Sequence, residues 1–552
     1  MKMCNIIIAF LRKNIDIIFF VFGAIVFLSV LGVNFYALDK NLIPSDEAWY
    51  LCLIRDLPHY GTTRFHLLFG SLFSANIYAN RLFCWALLLL GAIIFACGLT
   101  EFLSSYIKDR QKWFIFFSSL FAIYIGQMVI IDCPSLNYIT LNTIVAEFSV
   151  GFLLLGLSKD KWLYYLLSGF VVTYLFPIMV TNVIIIPLMI LLIVLLSMHK
   201  LRDSLCFSLG IILFAIYYFT CVDSIHEVFS YIATETTNTI QRGSGEYGIV
   251  FLIKWIGQTF MYILRCLITA IAIYAVYVYS EKNERITSEL KKWVLLIVSA
   301  SLILLYSWTY IEPCYPFRQF SSFPWFKDLF WISIFIFLCK DIQNNALTKS
   351  KTIVGCFLCL IPLCLSFGTN VDFHTRVGMY YAFIVPVLLL FQAERNNNRK
   401  LILLPILCLL FVIFLHSCTH RNWHGEKYIL GEKIPVQTIG INQNVKVDKL
   451  YISMLDSCAK YIPKEANVFC NEDKWITICL LNYHPISYEF SIVRNDTIAF
   501  QKMIDQAMDK NDELWAISDI WKPKFNGYVK NLNGYRIDSI CAGDNRYYHI
   551  RK

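Results

Sequence analysis

The segment Pro44-Ser45-Asp46-Glu47-Ala48-Trp49-Tyr50 places two adjacent acids a few residues after the first long apolar run, which ends at Tyr36. A carboxylate near the centre of a bilayer costs roughly 2.5 to 3.5 kcal/mol even on the gentler insertion scale. Asp46 and Glu47 are therefore expected at the membrane surface, in contact with water. Trp49 and Tyr50 suit that depth, because amphipathic rings prefer the headgroup region. Alone, the segment fits reactive acids and a solvated loop with an aromatic anchor equally well.

The composition is that of a multi-pass membrane protein. Of the 552 residues, 57% are hydrophobic and 16% are charged, with a mean hydropathy of +0.57. The apolar residues come in runs of about twenty, the length of a membrane-spanning helix. The formal charge of +9 does not indicate nucleic-acid binding, because Lys and Arg fall in short clusters between the runs. Most of the 19 cysteines lie inside apolar runs, where cysteine behaves as a small hydrophobe.

Thirteen apolar runs predict thirteen transmembrane helices. The predicted spans are 15–36, 82–105, 113–131, 139–157, 162–179, 183–198, 204–222, 255–279, 293–310, 326–339, 352–367, 378–393 and 401–418. The first run is too long for a signal-peptide core and lacks a small-residue cleavage site, so it is predicted to be retained. Loops on one side carry the Lys and Arg clusters, which makes them and the N-terminus cytoplasmic. The odd helix count then puts the C-terminus outside.

The chain is predicted to have two domains. Residues 1–418 form the transmembrane domain, with a first outer loop at 38–81. From about residue 419 the charge rises and the apolar runs shorten, which predicts a small water-soluble α/β domain at 419–552 on the exoplasmic or periplasmic side. The fold class is therefore an α-helical polytopic membrane protein of about 13 helices with a C-terminal α/β domain.

Sequence patterns also predict elements inside the C-terminal domain. Helices are predicted at 447–461 and 497–508, strands at 466–470 and 513–518, and a terminal hairpin around Gly543-Asp544-Asn545. In an oxidising compartment some of the domain's cysteines can pair. The candidates are Cys458, Cys470, Cys479 and Cys541.

Together these features resemble the GT-C superfamily of glycosyltransferases that use polyprenyl-phosphate sugars, particularly the protein O-mannosyltransferase and lipid A aminoarabinose transferase group. The matching residues are Asp46-Glu47 with Tyr50, the entry to the second helix from Phe69-Gly70 to Tyr78-Ala79-Asn80-Arg81-Leu82, and Asp132 at the start of the second outer loop. Where relatives often carry a His-Pro-Pro-like stretch, this chain reads Gly61-Thr62-Thr63-Arg64-Phe65-His66. The identities of donor and acceptor therefore stay open.

The resemblance implies an inverting hexosyl- or pentosyltransferase in the cell (inner) membrane, moving a sugar from a polyprenyl-phosphate donor to a hydroxyl of a lipid, glycan or protein. Asp46 is the expected general base, and Glu47 shares this role or orients the acceptor. Asp132 orients the acceptor or, with Asp46, helps to hold a divalent cation such as Mg²⁺ or Mn²⁺. The structural alternatives are an N-terminal helix acid for Glu47 and a capping or turn-forming role for Asp132.

The leaving phosphate requires cations, and the planar fork of arginine suits it. The candidates on the outer face are Arg64, Arg81, Arg318 and Arg376, with His374 beside Arg376. Arginine near a helix end also often snorkels to the interface, which is the structural alternative for each of them. Glu147 and Arg265 differ in lying inside apolar helices, where they are expected to pair with each other.

Two other functions compete. A polysaccharide polymerase or ligase also uses lipid-linked sugars, but the early acid pair and the soluble C-terminal domain argue against it. A lipid-linked sugar transporter or flippase usually has broken helices and polar sites near the midplane in two related halves. Here the acids cluster at one surface, and the sequence has no evident internal repeat.

Overall fold

The computed structural model describes residues 2–36, 38, 46–56, 77–106, 112–128, 135–230, 249–282, 324–343, 348–367, 380–392, 432–436, 445–470, 474–486 and 497–552. The chain divides into two compact units. The first consists of residues 1–32, 86–132 and 138–424, and the second of residues 33–85, 133–137 and 425–552. The second unit thus contains the whole of the first predicted outer loop together with the C-terminal domain from residue 425 onward.

The apolar part of the chain is helical wherever the structure describes it. Its helices are α1 (Lys2–Tyr36), α2 (Asp46–Asp56), α3 (Ile77–Leu103), α4 (Lys112–Met128), α5 (Tyr138–Lys159), α6 (Trp162–Val172), α7 (Leu175–Ile178), α8 (Ile185–Leu196), α9 (Lys200–Tyr217), α10 (Ile249–Lys282), α11 (Pro324–Gln343), α12 (Lys349–Ser366) and α13 (Tyr381–Gln392). Of the predicted spans, 293–310 and 401–418 lie outside the described residues. The other eleven each coincide with helical structure, with different ends.

Five helical stretches in the described part of the chain are long and apolar enough to cross a membrane. They are Ile77–Leu103, Tyr138–Lys159, Lys200–Val222, Ile253–Tyr279 and Lys349–Ser366. With the hydropathy of the whole chain, they mark the protein as a membrane protein.

The apolar stretch 162–198 is interrupted, as its prolines predict. Met179 has an extended backbone between α7 and a 3₁₀ turn at Val180–Ile184, which leads into α8. Asn182 in this turn is fully buried. The break therefore lies between the two predicted spans.

Backbone-to-backbone contact at glycine joins α3 to α5. A Cβ atom on Gly98 would overlap the carbonyl of Gly151, and one on Gly151 would lie 2.8 Å from the carbonyl oxygen of Ile94. Small residues are the usual means by which membrane helices approach this closely, since lipid leaves little hydrophobic force to drive them together.

A polar contact also ties α3, α4 and α5 together. The amide nitrogen of Gln127 donates to the carbonyl oxygen of Leu88 at 3.1 Å and to the carboxylate of Glu147. Both donors of this nitrogen are thus engaged. The predicted pair of Glu147 with Arg265 is wrong: the fully buried Glu147 contacts Gln127, while Arg265 is exposed. Hydropathy placed both charges in helices but carries no information on which helices are neighbours.

The described part of the C-terminal domain contains two sheets. Strands β1 (Lys433–Val436) and β2 (Val445–Asp448) form an antiparallel pair. The larger sheet has the order β4-β3-β5-β7-β6 and consists of β3 (Asn467–Cys470), β4 (His484–Pro485), β5 (Glu513–Asp519), β6 (Arg536–Ala542) and β7 (Asn545–Arg551). β3 is parallel to β4 and β5, whereas β7 is antiparallel to β5 and β6.

Helices cover both faces of the larger sheet. They are α14 (Ile452–Tyr461), α15 (Trp475–Leu481), α16 (Thr497–Met508) and α17 (Pro523–Lys530). Successive residues of β7 point to opposite faces. Tyr548 joins a core with Phe500 of α16 and Phe525 of α17, while Tyr547 packs against Tyr461 of α14. The strands β3, β5 and β7 are therefore mostly buried between helices, whereas most residues of the edge strand β6 are exposed.

Most predicted elements of this domain are confirmed. The helix at 497–508, the strands at 466–470 and 513–518, and the terminal hairpin all match, and Gly543 has a positive φ of 58° in the hairpin turn. The predicted helix at 447–461 is wrong at its start, because Val445 and Val447 alternate with polar residues and pair as β2. All four cysteines considered for pairing lie in the described part of the chain, and none of them is in a disulfide.

Candidate functional site

The acid pair begins a helix that is packed inside the protein. Asp46 and Glu47 are the first residues of α2, where negative charge is favourable because backbone N–H groups are left unpaired. Every residue from Glu47 to Ile54 is buried. The expectations of a water-exposed Glu47 and of an interfacial anchor at Trp49 and Tyr50 are therefore wrong, since this stretch is a helix with protein around it.

Glu47 forms a bidentate ion pair with Arg81, the fifth residue of α3. Arg81 donates from Nε to Oε1 at 2.7 Å and from Nη2 to Oε2 at 2.6 Å. The side chain of Arg81 is 0% exposed and that of Glu47 is 4% exposed. Both carboxylate oxygens thus accept charged hydrogen bonds, which are the strongest class of side-chain contact. This arrangement favours Glu47 as a fixed anion over Glu47 as a proton acceptor.

Arg81 also reaches the segment that follows α1. Its Nη1 donates to the carbonyl oxygen of Leu38 at 3.3 Å. One guanidinium therefore connects the end of α1, the start of α2 and the start of α3. With this engagement and full burial, Arg81 does not present a free fork to a phosphate, in contrast to the sequence-based expectation.

The residue before Arg81 contacts the segment that leads into α5. Oδ1 of the buried Asn80 accepts a hydrogen bond from the backbone N–H of Leu136 at 3.1 Å. Leu136 follows Asp132 by four positions in the sequence. Asn80 and Arg81 thus fix the loop segment after Asp132 and the helix that begins with Asp46. Asn80 belongs to the Tyr78–Leu82 stretch at the entry to the second predicted helix, but the sequence predicts no role for it, because no spacing rule links it to Leu136.

Most of the predicted site residues lie outside the described part of the chain. These are Arg64, Asp132, Arg318, His374 and Arg376, and the side chain of Asp46 is likewise outside it. Their roles remain predictions, as does cation binding by Asp46 and Asp132. Among the residues that are described, no group of three or more His, Cys, Asp or Glu side chains is arranged to hold a metal ion.

Three solved structures illustrate what the chain is similar to. The oligosaccharyltransferase of Archaeoglobus fulgidus in complex with Zn and sulfate is 11% identical, with a TM-score of 0.47 over 94% of this chain and 70% of that one. The same organism's AglB with an inhibitory peptide and a dolichol-phosphate is 12% identical, with a TM-score of 0.41 over 92% and 70%. ArnT from Cupriavidus metallidurans bound to undecaprenyl phosphate is 12% identical, with a TM-score of 0.33 over 96% and 97%.

No family model and no curated protein sequence matches the chain. Because every TM-score quoted is below 0.5, the likeness carries no argument about superfamily or activity, and the resemblance to the GT-C superfamily inferred from the sequence stays a prediction. The function proposed below rests on the chain's own residues.

Proposed function

We propose that this protein is an inverting membrane glycosyltransferase of the GT-C type. It transfers a hexosyl or pentosyl group from a polyprenyl-phosphate donor to a hydroxyl of a glycan, lipid or protein at the outer face of the cell membrane. In this proposal about thirteen helices span the membrane, and the C-terminal domain lies on the exoplasmic or periplasmic side.

The observation that carries the proposal is the buried pair of Glu47 with Arg81. Burying two charges costs desolvation free energy, and hydrophobic residues of similar volume at the same positions often give a protein that is at least as stable. A pair at the first turn of α2 instead fixes the position and direction of that turn. The residue fixed most closely is Asp46, the neighbour of Glu47 and the proposed base. Glu47 is thus assigned to positioning and Asp46 to proton transfer.

The reaction proposed for Asp46 is a single displacement. The acceptor hydroxyl loses its proton to the Asp46 carboxylate as its oxygen attacks the anomeric carbon from the face opposite the phosphate. The bond between that carbon and the phosphate oxygen breaks, and the polyprenyl phosphate leaves with the electron pair. General base catalysis of this kind contributes about 10² to 10⁴ in rate.

The remaining predicted residues take the roles that the chemistry requires. Arg64, Arg318, His374 and Arg376 are proposed to bind the donor phosphate, whose charge increases as it leaves. Asp132 is proposed to orient the acceptor. Asp46 and Asp132 also offer the oxygen ligands that Mg²⁺ and Mn²⁺ prefer, and such an ion would supply further positive charge near the phosphate.

Sugar transfer by the purified full-length protein tests the proposal. The protein is reconstituted in liposomes with radiolabelled polyprenyl-phosphate sugars and a panel of glycan, lipid and peptide acceptors. We expect a labelled product with inverted anomeric configuration and release of polyprenyl phosphate. Movement of intact lipid-linked sugar across the bilayer without release would identify a flippase. Extension of a lipid-linked chain by repeat units would identify a polymerase.

A further inference from the structure

The C-terminal end of α2 is held by the C-terminal domain. Arg55 donates from Nη1 to Oδ1 of Asn482 at 3.0 Å and from Nη2 to the carbonyl oxygen of Tyr483 at 3.3 Å. These residues are more than 400 positions apart in the sequence. The contact is partly buried, and both residues belong to the second compact unit. We call this contact the Arg55 clamp.

The acceptors of the clamp are fixed by the domain that carries them. Asn482 ends α15 in the left-handed conformation, with φ 57° and ψ 38°, which asparagine adopts more readily than most residues. Tyr483 is 2% exposed, and its hydroxyl donates to the carbonyl oxygen of Cys458 on α14 at 3.1 Å. The two oxygens that receive Arg55 are therefore set by packed structure.

A buried thiol contact accompanies the clamp. Cys52 of α2 and Cys479 of α15 are both fully buried and free. Interaction with the Cys52 thiol, together with burial, holds the pKa of Cys479 well above its usual value. Cys52 and Arg55 are at positions i and i+3 of the helix, so the two lie on the same face of α2. This face thus meets α15 through an apolar contact bordered by the Arg55 hydrogen bonds.

We infer that Arg55 is a positioning residue through which the C-terminal domain holds the helix that begins with Asp46. This inference rests on the proposed function. Arg55 lies nine residues after Asp46, which is about 14 Å along a helix. The pair of Glu47 with Arg81 holds one end of α2 and the clamp holds the other. A helix fixed at both ends cannot swing, so the position of Asp46 depends on the C-terminal domain.

Substitutions at the clamp test the effect on turnover. Arg55→Ala should lower kcat about 10- to 100-fold, because small displacements of a reacting group have effects of this size. KM for the donor should change little, since substrate contacts are untouched. Arg55→Lys should restore only part of the activity. Lysine keeps the positive charge, but its ammonium group lacks the fork that reaches both acceptors. Arg536→Ala, on an exposed strand residue of the same domain, is the matched control.

Substitutions at Asn482 separate the hydrogen bond from the backbone conformation. Glycine keeps the left-handed conformation but removes Oδ1. Aspartate keeps an acceptor at the same place and adds a charge that favours arginine. We therefore expect Asn482→Gly to lower kcat as Arg55→Ala does, and Asn482→Asp to retain activity. Equal loss in both variants would contradict a clamp that acts through this acceptor.

Thiol labelling reports docking independently of activity. The full-length protein in detergent is treated with a maleimide, and labelled peptides are quantified by mass spectrometry. In Arg55→Ala, Cys52 and Cys479 should react about tenfold faster or more, because hydrogen bonds of a charged group are lost. Cys458 and Cys470, buried elsewhere in the domain, should react as in the wild type. Equal exposure of all four thiols would mean that the domain unfolds, which overturns the positioning role.

Two further results would overturn the inference. Unchanged protection of Cys52 and Cys479 in Arg55→Ala would show that the clamp does not dock α2. Increased labelling with normal turnover would show that docking does not position Asp46. A wild-type protein that transfers no sugar would instead refute the proposed function, and the labelling rates would still decide whether the clamp docks the helix.

Discussion

The guanidinium of Arg81 donates hydrogen bonds to both carboxylate oxygens of Glu47, a residue 34 positions away in the sequence. Neither side chain has appreciable access to water. Each charge is therefore compensated chiefly by the other, and the pair acts as one unit. Any substitution at one position changes the environment of the other.

Removal of Glu47 should destabilise the protein strongly. Glu47→Ala leaves the Arg81 cation buried without its partner, and a change of this kind costs about 3 to 5 kcal/mol. Thermal unfolding of the full-length protein in detergent measures the effect. Glu432→Ala is the matched control, since the pair of Glu432 with Lys449 is about two-thirds exposed and should contribute about 0 to 1 kcal/mol. Equal melting temperatures for the two variants would show that Glu47 does not anchor α2.

Asp46→Asn should abolish most turnover without loss of folding. Asparagine retains the size and hydrogen bonding of the side chain but not its basicity, so kcat should fall by about 10² or more. The loss of one charge near a helix N-terminus costs only about 0.3 to 1 kcal/mol. Asp512→Asn, at a fully exposed position, controls for the change of charge. Near-normal transfer by purified Asp46→Asn protein would exclude Asp46 as the essential base.

Glu47→Gln distinguishes positioning from direct catalysis. Glutamine keeps one oxygen for Arg81 but removes the charge, so we expect a lower melting temperature together with a loss of turnover. Residues that act on one reaction as a unit lose activity non-additively. If Glu47→Gln melts like the wild type yet is as inactive as Asp46→Asn, Glu47 takes part in the chemistry directly.

Arg318 and Arg376 should affect use of the donor. Each Arg→Ala variant is expected to raise KM for the polyprenyl-phosphate sugar and to slow transfer, because a charge that stabilises the leaving phosphate is lost. Arg→Lys should rescue only partly, since the bidentate fork is lost. Steady-state kinetics with varied donor concentration measure both effects, against Arg536→Ala as control. Normal donor kinetics in both alanine variants would identify these residues as snorkelling anchors.

Residue 552 should lie outside the cytoplasm. The prediction follows from the basic loops and the odd number of predicted helices. A C-terminal reporter that is active only in the cytoplasm should be silent, and one that is active only outside should give a signal. The opposite result would put the C-terminal domain on the cytoplasmic side and would exclude transfer at the outer face in the form proposed.

Local patterns predicted the elements well because their causes are local. Apolar runs of helical length gave the spans, and the turn at Gly543 gave the terminal hairpin. The start of the predicted helix at 447–461 failed because Val445 and Val447 pair with a strand at Lys433–Val436. A four-residue alternation is too short to outweigh the helical pattern that follows it.

The site could be predicted only as a set of residues. The resemblance identified Asp46, Glu47 and Arg81, but not that Arg81 is the partner of Glu47. Arg55 was visible in the sequence only as one charge among several in the first outer loop. Its acceptors, Asn482 and Tyr483, lie at the other end of the chain. Contacts of this range depend on the packing of whole helices, which no sequence spacing encodes.

The contact between Gln127 and Glu147 bears on how the protein is made. Inserting a helix with an unpaired carboxylate into a bilayer costs a free energy of roughly 2.5 to 3.5 kcal/mol per charge. α5 is synthesised after α3 and α4, which supply Leu88 and Gln127. The nascent α5 can therefore find a preformed hydrogen-bond donor for its carboxylate, the amide nitrogen of Gln127, as it leaves the translocon. Insertion of these three helices is therefore expected to be cooperative. A Gln127→Leu variant should lose more protein to degradation during synthesis than the change in its folded-state stability alone would explain.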